Sequence, residues 1–494
     1  MSTSEPRGSE HLDVLIIGAG VSGIGAACHL RRQLPERRFA VVEAMDGFGG
    51  TWRTHRYPGA RSDSDLYTYG YGFKPWRGRA LATADEIRAY LAGTIDENGL
   101  APHIRYGLKM VAADWSSSEQ RWTVRLVRQA TGETSTLTCS FLWLCQGYYD
   151  HAKGHLPEWP GMERFAGTLV HPQHWPQDLD CTGRHVVVIG SGATAATLVP
   201  ALAGQAAHVT LLQRSPTFFI ARGWEHELAA PLRALDIPEE WLFEILRRAH
   251  IARQAELTRM SFEQPEALRA WLVEQTRALL PEGFDVERHF NPAYRPWQQR
   301  LAVVPDGDLF AAIREGTASV VTDAIECFDE AGIVLAGGGR LDADVVVAAT
   351  GFDLALFGGV PFAVDGAPVD FTRRVTYRGL MIEGLPNLAY VQGYFRSSWT
   401  LRVDLVCGFV CRLLDHMAQR GAAAVTPRLR PEDAGMPLLP WCDPANFNAG
   451  YVLRTQHRMH RQGDREPWTH MHEYETERRT LPAVDLDEAA LAYR

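Results

Sequence analysis

The chain of 494 residues has no C-x-x-C pair among its eight cysteines, which stand at 28, 139, 145, 181, 327, 407, 411 and 442. Thiols scattered in this way argue against a disulfide framework, a zinc ribbon or a dithiol redox centre, and they suit a reducing compartment. Cys407 and Cys411, one helical turn apart, read as core thiols. No apolar run of signal-peptide length precedes the first strand, so a cytoplasmic protein is expected rather than a secreted one. A membrane span is not expected either. Ser191 to Gln213, which lacks Lys, Arg, Asp and Glu, is broken by Pro200, Gly204 and His208 and reads as a helix followed by a strand. Positive charge is short as well: 50 Lys and Arg against 59 Asp and Glu leave a net charge of -9, which argues against the basic face that nucleic acid demands. His171 and His174 are spaced as metal ligands are, but no further His or Cys stands by to complete a set, so no metal is expected. The rest is ordinary globular composition, 46% hydrophobic and 22% charged, and at about 150 residues per domain the length implies two to four domains.

What is present starts with a buried parallel strand, Asp13 to Ile17, running into Gly18-Ala19-Gly20-Val21-Ser22-Gly23 and a helix from Ile24 to Leu34. In such a turn the first Gly permits the tight bend, the second lets backbone N–H groups reach a pyrophosphate, and the third lets the helix close on the strand. The second strand, Phe39 to Val42, ends in Glu43, twenty residues past Gly23, where a carboxylate can accept ribose hydroxyls. Gly49-Gly50-Thr51-Trp52-Arg53 and Tyr57-Pro58-Gly59-Ala60-Arg61-Ser62-Asp63 follow, glycines that permit a second close backbone approach to the same ligand. Asp63 reads either as a solvated turn carboxylate or as a site residue, and the aromatics of LYTYGYGFKPW either as core or as a stacking wall. Residues 106 to 147 alternate as a β-meander that returns to the first sheet and ends at Gln146-Gly147.

A second unit opens at Val186 to Ile189, continues as Gly190-Ser191-Gly192-Ala193-Thr194-Ala195, and ends in a strand from Val209 to Leu212. No ribose acid follows; Gln213-Arg214-Ser215 stands in its place, and an Arg there gives a charge-assisted contact to a 2′-phosphate that a carboxylate would repel. One site for FAD and one for NADPH is the economical reading. Between the two units lies Phe165 to Pro176, F-x-G-x-x-x-H-x-x-x-W-P, either a surface linker or a joint that lets two cofactors approach and part. In it His171 is expected to act as an anchor rather than as a base. Residues 224 to 280 are helical by period, with Trp241, Leu242, Ile245, Leu246 and Ala249 on one face and Leu268, Trp271, Leu272 and Leu279 on another. From Thr426 onward a Pro-rich polar segment reads as a surface strap.

The fold class expected is α/β, two Rossmann-like dinucleotide-binding domains with a helical insertion. Its parts are 1–150 for the first part of the FAD domain, 151–220 for the joint and the start of the NADPH domain, and 221–299 for the insertion. The NADPH domain resumes over 300–375, and 376–494 returns to the FAD domain and the strap.

With these pieces placed, the sequence resembles the flavin-containing Baeyer–Villiger monooxygenases. The resemblance rests on the fingerprint from Phe165 to Pro176 and on the longer signature from Gly49 to Asp63. Runs such as YPGARSDSDLYTYGYGFKPW, HPQHWPQDLD, QRSPT and GYVLR resemble the ethionamide-activating thioamide branch of that family, nearly end to end. The resemblance implies flavin contacts at Gly18, Gly20, Ser22, Gly23, Glu43, Trp52, Asp63, Tyr69 and the backbone near Val111. It implies nicotinamide-nucleotide contacts at Gly190, Ser191, Gly192, Thr194, Ala195, Arg214 and Ser215, and an active-site arginine at Arg300. The family commonly has Lys before that arginine, whereas this chain has Gln299, which puts more of the 2′-phosphate contact on Arg214. The implied chemistry is conversion of ketones to esters or lactones through a C4a-peroxyflavin, with sulfides also oxidised, using O2 and small-molecule substrates. Arg300 would hold the anionic oxidant and Asp63 would orient Arg300. A dedicated sulfoxidase or thioamide S-oxygenase is the competing enzyme reading, and a nucleotide-sensing flavoprotein without turnover the competing non-enzyme one.

Overall fold

Two sheets, one mixed and one parallel, each opening on its own glycine turn, carry the chain, and the computed structural model describes residues 10–494. The stretch before the first strand, where no leader run is expected, lies outside the described residues. In the first sheet β1 (His11–Ile17) lies between β2 (Phe39–Val42) and β6 (Thr134–Leu144), both parallel to it, with Val14 aligned to Phe39 on one side and to Phe141 on the other. A strand covered on both faces is apolar throughout, and Val14, Leu15 and Ile16 are fully buried. The helix α1 (Val21–Gln33) starts directly after Gly20, three residues earlier than the period predicts, because the glycine turn itself supplies its first turn. β3 (Ile104–Arg105) extends the sheet beyond β2, and β4 (Leu108–Ser116) and β5 (Arg121–Arg128) form the expected antiparallel meander into β6.

The C-terminal part does come back to this sheet, since Leu388–Tyr390 pairs parallel with β6. The return begins before the expected boundary at 376: Phe362–Val364 already pairs with β4, Phe362 against Ala113. A three-residue strand is too short to show a period in sequence.

The second sheet has five parallel strands in the order Ala318–Thr322, His208–Gln213, His185–Ile189, Val345–Ala348, Thr168–Val170. Its edge strand belongs to the joint segment, so that segment is part of the second domain's sheet and not a free linker. The two domains are bridged by an antiparallel ribbon of Tyr149–Gly154 and Phe352–Leu354.

The insertion consists of helices Ala229–Ala234, Glu239–Glu263, Pro265–Arg277 and Val286–Phe290. The longest spans both cores: Leu242, Phe243 and Leu246 pack into the first domain, and Leu257 into the second. Trp241 and Trp271, placed on the apolar faces by period, are instead 65% and 39% exposed. The true buried stripe of the long helix contains Arg247 and Ser261. Arg247 donates to the carbonyls of Tyr67 and Gly70, which makes its burial tolerable and hides the stripe from a reading based on polarity.

The segment after Thr426 is not a surface strap. Trp441, Cys442, Phe447, Val452 and Met459 form a buried cluster with Tyr148 and Phe395. Trp468 is fully buried and donates its Nε1–H to Asp433 Oδ2 at 2.7 Å. Aromatic anchors spaced irregularly along a coil have no period to read. Among the described residues, no helix is long and apolar enough to cross a membrane.

Candidate active site

The first glycine turn is set by contacts that leave no room for a side chain. A Cβ on Gly23 would lie 1.8 Å from the Gly18 carbonyl oxygen, so the helix closes on the strand only without one. Gly20 faces Gly50, where a Cβ would stand 3.1 Å from the Gly20 Cα, and Gly50 has φ +55°. These two backbone loops line a cavity of about 520 Å³ between the domains. Glu43, at the end of β2, is buried beside them; it accepts from Ala19 N at 2.7 Å and Met45 N at 2.8 Å. Burial raises its pKa, and these backbone N–H groups oppose the rise.

The short helix Leu66–Tyr69 sorts the aromatic stretch. Tyr67 and Tyr71 are fully buried core residues, whereas Tyr69 faces the cavity. The Asp65 side chain caps this helix by accepting from Tyr67 N and Thr68 N. Trp52 Nε1 donates to the Tyr69 hydroxyl at 2.7 Å with the two rings edge to face, and burial pushes the Tyr69 phenol up to about 12. Ser22 also lines the cavity, its hydroxyl accepting from Trp399 Nε1 at 2.8 Å. Val111 is the extra residue of a bulge in β4, between the pairs of Met110 and Ala112, so its backbone is released from the ladder. The wall there is formed by Leu108, Lys109 and Met110.

Arg300 and Asp63 meet at the far side, with Arg300 Nη2 donating to Asp63 Oδ1 at 3.2 Å. Asp63 therefore lines the cavity as the partner of Arg300 and is not a solvated turn carboxylate. Its charge raises the Arg300 pKa, against the opposing effect of burial. Both residues, with Ser64 and Ser397, also line a second cavity of about 350 Å³, so the pair stands at the junction of two spaces. Tyr148 and Tyr149 pack with ring centroids 4.6 Å apart, Tyr451 stacks 6.4 Å from Tyr148, and all three feel the Arg300 charge. The sequence reading missed this tyrosine group. The signals available were the position of Tyr148 and Tyr149 directly after Gln146-Gly147, and that of Tyr451 inside GYVLR.

In the second domain Gly190 has φ +135°, and a Cβ there would lie 2.3 Å from the Ala349 carbonyl oxygen. Ser191 Oγ bonds Thr217 Oγ1 at 2.9 Å, and Gly192 ends the turn as the N-cap of the helix Ala193–Ala203. Thr194 reaches the large cavity, while Ala195 is fully buried in the second core. Arg214 and Ser215 are exposed just beyond the strand His208–Gln213, and among the described residues Arg214 makes no ion pair. Arg454, which donates to the Phe352 carbonyl at 3.1 Å, lies close enough for the Arg214 charge to lower its pKa, although burial is the larger cause. His171 works as an anchor by geometry. One ring nitrogen meets the Gly351 carbonyl at 3.1 Å and the other accepts from Gln173 N at 3.2 Å, and a Cβ on Gly154 would stand 1.9 Å from the ring.

The donor set suits a large planar dinucleotide. Gln146 Oε1 and Arg300 Nε are buried in the cavity wall without a partner, and the glycine loops leave room for backbone contact with phosphates.

The family described as flavin-binding monooxygenase-like matches residues 82–365, and an NAD(P)-binding Rossmann-like domain matches residues 16–84. The FAD-containing monooxygenase EthA of Mycobacterium tuberculosis is 45% identical over 488 residues, covering 98% of each chain. MymA of the same organism, also named as an FAD-containing monooxygenase, is 45% identical over 493 residues with 98% of each chain covered. A steroid monooxygenase solved with NADP superposes with a TM-score of 0.76 at 25% identity, over 98% of this chain and 99% of that one. The resemblance read from the two fingerprints is borne out over nearly the whole length, and the chain belongs to the flavin-binding monooxygenase family.

Proposed function

We propose that the chain is an NADPH- and O2-dependent monooxygenase of the Baeyer–Villiger type, converting ketones to esters or lactones and also oxidising sulfides. In the ketone reaction one oxygen atom of O2 enters between the carbonyl carbon and its neighbour; the other leaves as water, with both electrons from NADPH. FAD, once reduced, supplies the oxygen-activating chemistry. It would be held by Gly18, Gly20, Ser22, Gly23, Glu43, Trp52, Asp63, Tyr69 and the released backbone at Val111. NADPH would be held by Gly190, Ser191, Gly192, Thr194, Arg214 and Ser215, whereas the expected contact Ala195 packs into the core behind the turn.

The observation that carries this reading is the Arg300–Asp63 pair at the meeting of the two cavities. Oxygen insertion beside a carbonyl needs an anionic nucleophile held near the substrate, and Arg300 is the cation in place to hold it. One unit charge at 4 Å with an effective dielectric near 20 contributes about 4 kcal/mol, roughly three decades of rate. Asp63 fixes the orientation of the guanidinium and tempers its charge, with Tyr148, Tyr149 and Tyr451 grouped beside it. The test is purified yellow protein with NADPH, a phenyl ketone and a phenyl sulfide, with product identification. Ester and sulfoxide are the expected products. Sulfoxide alone would reduce the reading to a sulfur oxygenase, and NADPH consumption indifferent to both compounds would remove it.

A further inference from the structure

The back wall of the second cavity is the parallel pair Phe219–Arg222 and Ala302–Pro305, in which Ile220 is aligned with Val303 and Arg222 with Pro305. Alternation along the strands turns Ile220, Arg222, Leu301 and Val303 to the cavity, while Phe219, Ala302 and Val304 enter the second core. Arg300 lines the same cavity. Pro305, the partner of Arg222, is five residues beyond Arg300, so at most about 17 Å of extended backbone separates the levels of the two arginines. The strand pair thus carries a cation at each end with Ile220, Leu301 and Val303 between, and Arg259 and Arg396 line the same cavity.

Arg300 has Asp63, but Arg222 has no carboxylate within ion-pair distance among the described residues. Its side chain donates only to His250 Nε2, at 3.4 Å, and its Nε is buried without a partner. His250 Nδ1 in turn lies 3.4 Å from Asp65 Oδ2, while Asp65 Oδ1 is taken up in capping the Leu66–Tyr69 helix. Burial lifts Asp65 to about 7 and holds His250 well below its ordinary value, so the nearest carboxyl is only partly charged at neutral pH and the imidazole is neutral; the more distant Glu227 also acts on Arg222, and Arg253 acts against it. The other carboxylates of the wall are matched elsewhere: Asp63 to Arg300, Glu263 to Arg259, Glu475 to Arg478, and Glu473 beside Arg396. A half-buried guanidinium with a buried, unpartnered Nε in the wall of this cavity is a costly arrangement that an incoming anion relieves.

We propose that this cavity selects substrates bearing a carboxylate at the end remote from the ketone or sulfur, oxo acids or their thioether counterparts, bound head-on by Arg222. The proposal rests on the monooxygenase reading and names the substrate class for that site. The oxygen insertion is unchanged; only the remote end of the substrate is specified.

The test compares 9-oxodecanoate, its methyl ester and 2-decanone on FAD-loaded enzyme with NADPH. The acid is expected to exceed the ester in kcat/KM by about tenfold or more, mostly through KM. Arg222→Gln should bring the acid-to-ester ratio close to one and Arg222→Lys should recover part of it, whereas a merely structural defect would lower both substrates alike. Equal kcat/KM for acid and ester in the wild type, which needs no variant, would overturn the proposal. Calorimetric titration of decanoate into the same protein separates the two levels. Binding that Arg222→Gln weakens at least tenfold, without turnover of any ketone or sulfide, would keep the anion site and sink the monooxygenase reading; turnover of 2-decanone with no decanoate binding would do the reverse.

Discussion

Arg300 Nη2 and Asp63 Oδ1 stand 3.2 Å apart although 237 residues of chain separate them, one arriving from the end of the helical insertion and the other from the loop after the second glycine motif. Their side chains are 38% and 23% exposed, so as a structural ion pair they are worth less than about 1 kcal/mol. Removing either should therefore spare the fold. Arg300→Ala is expected to keep bound FAD and lose ester formation by about three decades. Asp63→Ala should lose less, because the cation remains. Oxygenation at the wild-type rate by flavin-loaded Arg300→Ala protein would take Arg300 out of the chemistry.

The flavin pocket depends on backbone contact more than on any side chain. A methyl on Gly23 would meet the Gly18 carbonyl at 1.8 Å, a clash with main chain that no rotamer relieves. Gly23→Ala is expected to come out colourless, with a lowered Tm that added FAD does not restore. An absorbance spectrum of the purified variant decides this, since a yellow protein with full flavin content would mean that α1 can move away from β1.

How far the chain could be read in advance follows from the range of the interactions. Gly18 to Glu43 was legible because strand, turn, helix and acid are consecutive, and each residue's role is local. Asp63 was not, since its partner lies at Arg300 and only the family resemblance linked them. Tyr148, Tyr149 and Tyr451 come together from two ends of the chain, and nothing local to either segment announces the meeting. The same holds for Phe447, which stacks on Phe395, and Trp441, which meets it edge to face, where a composition that reads as a strap conceals a core. Trp241 and Trp271 went astray because a helix touching two domains buries Arg247 and Ser261 in place of its largest apolar groups.

The proposed nucleotide preference rests on Arg214, exposed at the end of its strand with no ion pair among the described residues. A guanidinium free to meet a 2′-phosphate makes charge-assisted contacts that a ribose hydroxyl cannot replace. The wild type is expected to prefer NADPH over NADH, and Arg214→Ala to raise the KM for NADPH by about tenfold or more. Stopped-flow flavin reduction with each nucleotide measures this directly. Equal kcat/KM for the two in the wild type would refute the assignment.

The Asp65 carboxyl gives a stability signature that can be measured without substrate. Burial lifts its folded-state pKa to about 7, against an unfolded value of about 3.9. Below about pH 4 both states hold the proton and the contribution to stability is whole. Between pH 4 and 7 the unfolded chain releases the proton while the folded one keeps it, so stability is lost as pH rises, and the loss levels off above 7. Asn at this position keeps an oxygen to cap Tyr67 N and Thr68 N but does not titrate. The Tm of Asp65→Asn should therefore gain on the wild type by a few degrees between pH 5 and pH 8, whatever its offset at pH 5. If the difference between wild type and variant stayed flat over the same range, Asp65 would be ionised in the folded protein and Arg222 would already have its counter-charge. The helix at stake carries Tyr69 into the cavity wall, so the same titration should also perturb the flavin absorbance of the wild type near neutral pH and leave that of the variant unmoved.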